Sequence, residues 1–193
     1  KVLIDLGCGD GALAAHLAEV GLQPRRYIGV DGLLAQVRAG EERGYEWTDF
    51  VCSDLLASPS SLGRFGADVA LLSGTLNTMS VPQSRALVAQ AFDSVRDALA
   101  FNFLSDRPTQ ARVGASTGPA IRQDVVSWID YALGLTPLVA FRQDHPIPQT
   151  QMHTAHPVSG SSHFSDSDAY RSPCIRIIAF LGLRCIPLTL YQD

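Results

Sequence analysis

The feature that most narrows the fold of this chain is a glycine-rich bend between a strand and a helix. Residues 1–6 form a short apolar, β-rich run, and Gly7-Cys8-Gly9-Asp10-Gly11 interrupts it. Residues 12–20 then carry a helical pattern, with Leu13, Leu17 and Val20 on one face and Gly21 just beyond. Glycines in such a bend let the chain turn tightly, and they let a ligand reach the backbone without meeting a Cβ. The helix start leaves N–H groups free to meet a carboxylate or a ribose oxygen.

The same alternation continues. Residues 26–31 read as a second strand, and residues 33–39 as a short helix stopped by Gly40. A third strand over 49–53 is followed by Asp54, and a loop rich in Ser, Pro and Gly spans 58–66. Residues 68–73 are almost wholly apolar, as expected for a strand buried on both faces of a parallel sheet. Leu87, Val88, Ala91, Val95 and Leu99 recur at helical steps over 82–99, with Ser80 as N-cap and Pro82 in the first turn. Residues 100–104 give a fifth strand and 105–123 a polar loop. A helix over 124–133 places Val125, Val126, Ile129, Ala132 and Leu133 on one stripe, with Gly134 as its stop. A sixth strand over 138–142 closes the series. The expected fold is α/β: a Rossmann-like, doubly wound, mostly parallel sheet with helices on both faces.

That organisation covers 1–144. Residues 145–193 are different: an irregular Ser/His/Pro-rich stretch holding His145, His153, His156 and His163, then an apolar end. Two readings stand for this tail. Either residues 174–180 supply a final strand after a long insertion, or the tail is a non-native end. Lys1 leads directly into strand pattern, so the chain is expected to be a fragment or a partial gene model.

A chain of 193 residues is long enough to bury one real core. The net charge of −4 argues against a generic nucleic-acid surface. No apolar run approaches the roughly 20 residues that span a bilayer. Cys8, Cys52, Cys174 and Cys185 show no close pairing, which suits reduced thiols in the cytoplasm rather than a disulfide framework or zinc site. The spacing His153-x-x-His156 then His163 matches no metal-ligand pattern, so no metal is expected. His16 is expected to be a half-buried structural residue, and Trp47 and Trp128 packing residues.

Three acids stand out: Asp5 within the bend's strand, Asp31 at the end of the second strand and Asp54 after the third. Open α/β sheets bind ligands at the carboxyl ends of their strands. A carboxylate at Asp31 can accept from both hydroxyls of an adenosine ribose, and Asp54 stands where an acceptor would meet an adenine amino group. A nicotinamide dinucleotide is the competing ligand, because Gly7-x-Gly9-x-x-Ala12 satisfies the permissive glycine fingerprint. Asp5 opposes it, since dinucleotide binders usually place an apolar residue two before the first glycine.

With these residues in place, the segment VLIDLGCGDG resembles motif I of the class I S-adenosylmethionine-dependent methyltransferases. YIGVD resembles their acidic strand-two motif, FVCSDLL the strand-three motif and ADVALLSGTLNT the strand-four motif, and the likeness runs over 1–144. The resemblance implies S-adenosyl-L-methionine as cofactor. Asp5, Gly7, Cys8, Gly9 and Gly11 would border its methionine part, Asp31 its ribose, and Asp54 with Leu55 its adenine. Ser73 and Gly74 would line the far side, and Asn77 would sit near the methyl-transfer face unless it only caps a turn. The implied reaction is in-line methyl transfer to a small-molecule acceptor, with no nucleic acid or membrane partner and no nameable general base. The alternative is a non-catalytic domain that keeps only the cofactor pocket.

Overall fold

The computed structural model describes residues 1–57, 59–107, 120–142 and 180–182. The histidine-bearing stretch, Cys174 and Cys185 lie outside the described residues. So do most of the expected final strand over 174–180 and the middle of the 105–123 loop.

Strands β1 (Val2–Leu6), β2 (Arg26–Asp31), β3 (Thr48–Cys52), β4 (Val69–Leu72) and β5 (Ala98–Phe101) form a parallel sheet in the order β3-β2-β1-β4-β5. Next to β5 comes β9 (Phe180–Gly182), antiparallel to it, and then β8 (Val139–Ala140), which is also antiparallel to β9. Strands β6 (Leu104–Ser105) and β7 (Arg122–Gln123) make a small parallel pair beside the sheet. Four helices accompany the strands among the described residues: α1 (Ala12–Glu19), α2 (Leu34–Glu41), α3 (Val81–Ser94) and α4 (Val125–Leu135). None of the described helices is long and apolar enough to cross a membrane.

Alternation along each strand sorts the side chains onto two faces. Val2, Ile4 and Leu6 of β1 join Ile28, Val30, Ala70, Leu72, Leu99 and Phe101 in one buried cluster. Helix α3 closes it with Leu87, Val88 and Ala91, and α4 with Val125, Trp128 and Ala132. Burying a Leu, Val or Phe side chain contributes roughly 1.5–3 kcal/mol, so this layer dominates the stability of the domain. The other face carries Asp5, Tyr27, Gly29 and Phe50, which the pairing of β1, β2 and β3 sets side by side.

The helix limits differ from the sequence pattern for definable reasons. Gly40 does not stop α2. It lies within the helix, and a Cβ there would stand 2.4 Å from the Phe50 ring, so the residue is glycine where the helix meets the sheet. Helix α3 begins as expected, with Ser80 and Gln83 in a capping box and Pro82 in the first turn. It ends at Ser94 rather than running to Leu99. The amides of Asp97 and Ala98 donate to Asp68 O at 2.9 and 3.3 Å, which draws the chain into β5. Helix α4 runs through Gly134 and stops at Thr136, held extended (φ −159°, ψ 147°) ahead of Pro137. Its buried stripe is Val125, Trp128 and Ala132, while Val126 and Leu133 are exposed. Asp124 is its N-cap, accepting from the Ser127 amide at 2.5 Å. The polar loop over 58–66 holds a 3-10 turn, Pro59–Phe65. His16 is exposed on α1, its side chain 64% accessible, and is not half-buried.

Candidate functional site

Because β1 to β5 run parallel, their carboxyl ends share one edge, and the loops that leave this edge build the candidate site. The glycine bend follows β1. Its Gly7 and Cys8 amides donate to Val30 O at 2.8 and 3.1 Å, which bends the chain back over the end of β2. Gly7, Gly9 and Gly11 all have positive φ (80°, 55° and 77°), a region other residues enter only with strain.

Asp31, the last residue of β2, ties this bend to its neighbour. Its Oδ2 accepts from the Gly9 amide at 3.0 Å and its Oδ1 from the Leu33 amide at 2.9 Å. A carboxylate offers about four lone-pair sites, so two acceptor positions remain after these bonds. Asp31 is half-buried at the rim of the bend.

Asp5 lies deeper. It is 3% exposed, and its Oδ2 accepts from the Tyr27 hydroxyl at 2.6 Å. Its Oδ1 is buried with no hydrogen-bond partner. Burial lifts the Asp5 carboxyl to about 6; the Tyr27 hydrogen bond pulls it down and the charge of Asp31 pushes it up. Cys8 is buried beside them. Burial and the nearby Asp5 and Asp31 charges drive its thiol well above the usual range, so it is no nucleophile at neutral pH.

Asp54 is exposed after β3, and its Oδ1 accepts from the amides of Leu56 and Ala57 at 2.8 and 3.2 Å. Its second oxygen takes part in neither bond. Leu55 beside it is buried. After β4, Ser73 and Gly74 are half-buried, with Gly74 at φ 81°. Asn77 is buried, and its Oδ1 accepts from the Leu104 amide at 2.8 Å. That bond joins the loop after β4 to the segment that follows β5.

A family model described as a methyltransferase domain matches residues 3–98. Residues 3–98 thus carry a methyltransferase domain of the class I, S-adenosylmethionine-dependent type. Among solved structures, a SAM-dependent methyltransferase from Archaeoglobus fulgidus is similar, with a TM-score of 0.63 and 14% identity, over 93% of this chain and 86% of that one. Magnesium protoporphyrin IX methyltransferase from Synechocystis, solved with bound SAM, is similar at a TM-score of 0.55 and 15% identity, over 92% of this chain and 68% of that one. An O-methyltransferase family protein from Burkholderia thailandensis gives 0.57 and 18%, over 74% of this chain and 47% of that one. These likenesses establish the fold. A comparison with curated proteins finds no match.

Three residues of this candidate site were not singled out from the sequence. Thr75 Oγ1 donates to Leu6 O at 2.7 Å, and its side chain fills the space where a Cβ on Gly7 would stand. Asn102, 7% exposed after β5, accepts from the Gly74 amide at 2.7 Å and donates to Ser73 Oγ at 3.2 Å. Arg43 donates to Asp10 O at 2.6 Å and pairs with Asp10 Oδ2 at 2.5 Å, fastening the outer bend to the end of α2. Thr75 lies inside the ADVALLSGTLNT segment but carries no signal of its own there. All three act across the fold on backbone atoms, which no local pattern records.

Proposed function

We propose that this chain binds S-adenosyl-L-methionine in the bend between β1 and β2 and transfers its methyl group to a small-molecule acceptor. The observation that carries this reading is the Gly9–Asp31 hydrogen bond. It joins the glycine bend to the acid assigned here to the ribose.

The charge of the site suits this cofactor. Asp5 and Asp31 gather negative charge around the bend, and Asp54 adds to it from the next loop. The ligand carries a sulfonium and an ammonium, both cationic. A dinucleotide would instead bring an anionic diphosphate to the bend, beside the buried Asp5 carboxyl, so the same acids disfavour it. Asp5 Oδ1 is a buried acceptor without a partner, as a site awaiting a cationic or N–H donor group requires. In this reading Asp5, Gly7, Cys8, Gly9 and Gly11 border the methionine part, Asp31 accepts from the ribose hydroxyls, and Asp54 with Leu55 frames the adenine. Ser73 and Gly74, held by Asn102, line the opposite wall.

The cofactor supplies an electrophilic methyl group that leaves a neutral thioether. What the protein adds is position. Orientation alone is worth on the order of 7–11 kcal/mol in favourable model reactions. The acids hold the adenosyl and methionine ends apart at fixed points, and no base is required of them unless the acceptor must lose a proton. A small acceptor fits the net charge of −4 better than a nucleic acid does. The magnesium porphyrin methyltransferase of Synechocystis, which shares the fold, is a precedent for such a substrate.

Calorimetric titration with S-adenosyl-L-methionine tests the reading. Wild type binds, and Asp31→Ala, with its circular dichroism unchanged, binds about 10- to 100-fold more weakly. That is the loss expected when hydrogen bonds to a charged acceptor, worth about 1.5–3 kcal/mol, are removed. Unchanged affinity in Asp31→Ala would remove the ribose assignment. Release of S-adenosylhomocysteine with a panel of small acceptors tests the transfer itself.

A further inference from the structure

The cofactor reading gives Asp5 a task but leaves unexplained the group beneath it. Tyr27 is a strand residue with 0% exposure, and its phenol is the only titratable donor bonded to Asp5 among the described residues. The ring is held on two sides. Trp47 meets it edge-on with centroids 6.1 Å apart, and Phe50 lies tilted against it at 6.0 Å. Phe50 is in turn locked between Gly11, Gly29 and Gly40, where a Cβ would come within 3 Å of its ring. The hydroxyl therefore has little freedom to leave the carboxylate. A packing residue at this position needs only an aromatic ring. The hydroxyl at 2.6 Å from a buried carboxylate is an addition that packing does not require.

We propose that Tyr27 is a positioning residue of the cofactor site, acting through Asp5: its phenol fixes Oδ2 and favours the ionised carboxylate, leaving Oδ1 as the acceptor for the cofactor's cationic end. This rests on the binding reading above. A hydrogen bond donated to the charged form favours that form, whereas burial and the neighbouring Asp31 carboxylate oppose it. Cys8, the other titratable group close by, is a neutral thiol and contributes no charge. Without the phenol, Asp5 is expected to stay protonated to higher pH and to present the wrong form to a cation.

The test compares wild type, Tyr27→Phe and Asp5→Asn in two measurements. The first is a carboxyl 13C NMR titration of the ligand-free protein, with the Asp5 signal assigned by its loss in Asp5→Asn. The second is calorimetric affinity for S-adenosyl-L-methionine between pH 5.5 and 8.5. Tyr27→Phe raises the Asp5 midpoint by about one pH unit. Its affinity stays within about twofold of wild type at pH 8.5, falls roughly threefold below it near pH 6.5 and nearly tenfold at pH 5.5, while Asp5→Asn binds weakly with no such midpoint. Tyr27→3-fluorotyrosine, a stronger donor of nearly the same shape, moves both midpoints downward and stands in if Tyr27→Phe fails to fold. An unmoved Asp5 midpoint, or an affinity loss equal at every pH, overturns the proposal and leaves Tyr27 a packing residue. Wild type that takes up no cofactor at any pH sinks the cofactor reading itself, and this proposal with it.

Discussion

Gly7 is enclosed by a residue 68 positions away: Thr75 reaches across from the β4 loop, its Oγ1 on Leu6 O. A Cβ on Gly7 would stand 2.4 Å from that Oγ1 and 2.6 Å from Cγ2, at a φ of +80°. The sequence marks Gly7 as the start of a ligand-facing bend, and the bend is real. It does not show the second reason for glycine, which is this contact between loops. Gly7→Ala is therefore expected to cost about 1–2 kcal/mol for the backbone and another 1–3 for overpacking, read as a fall in the urea midpoint. Thr75→Ala removes the two nearest atoms and leaves Thr75 Cβ at 3.0 Å. In the double variant, alanine at position 7 should cost little beyond the backbone share, a coupling of at least about 1 kcal/mol. Additive losses would mean that Thr75 yields freely and does not enforce the glycine.

The elements were the most legible level, because apolar periodicity reports burial directly. Strand β2 follows the expected limits residue for residue, and the all-apolar run of β4 lies inside the parallel sheet as expected. Errors gather where a residue's meaning depends on its partner. Gly40 and Gly134 both resembled helix stops. One is a packing notch for Phe50, the other meets nothing within 4 Å, and the helices pass through both. Leu99 continues the period of α3 only because a buried strand follows closely. Val126 and Leu133 satisfied an apolar stripe, yet the core chose the face with Trp128, which stacks on Phe103 at 5.3 Å and donates to Gln123 Oε1 at 2.7 Å. Position also separates a cap from a helical residue. Asp124 precedes α4 and accepts from the Ser127 amide. Asp124→Ala should destabilise the domain by about 1 kcal/mol and Asp124→Asn by only a few tenths, measured by denaturant unfolding. Equal losses in the two would point to the charge of Asp124 rather than to its cap.

Across the whole molecule, the buried acid assigned to the proposed cofactor site works against the fold. Asp5 has its ordinary pKa of 3.8 when unfolded and about 6 when folded, so between these values the native state holds the extra proton. Stability then falls as pH rises through that window, and above about pH 6 the full penalty of the buried carboxylate is present. A displacement of about two pH units corresponds to roughly 3 kcal/mol, a large share of the 5–15 that usually holds a domain together. Asp68 behaves in the opposite sense. The Val2 amide on its carboxylate lowers its pKa, so its stabilisation is lost only in more acid solution. Asp5→Asn keeps an oxygen for the Tyr27 hydroxyl and cannot ionise. Its melting temperature should match wild type near pH 4 and exceed it by roughly 5–10 °C at pH 7.5, the gap opening between those limits. On the proposed reading the same variant should bind S-adenosyl-L-methionine poorly, since a more stable fold would be obtained by removing the charge assigned to the cofactor's cationic end. A gap in melting temperature that does not change with pH would show that Asp5 titrates in the folded chain as it does in water.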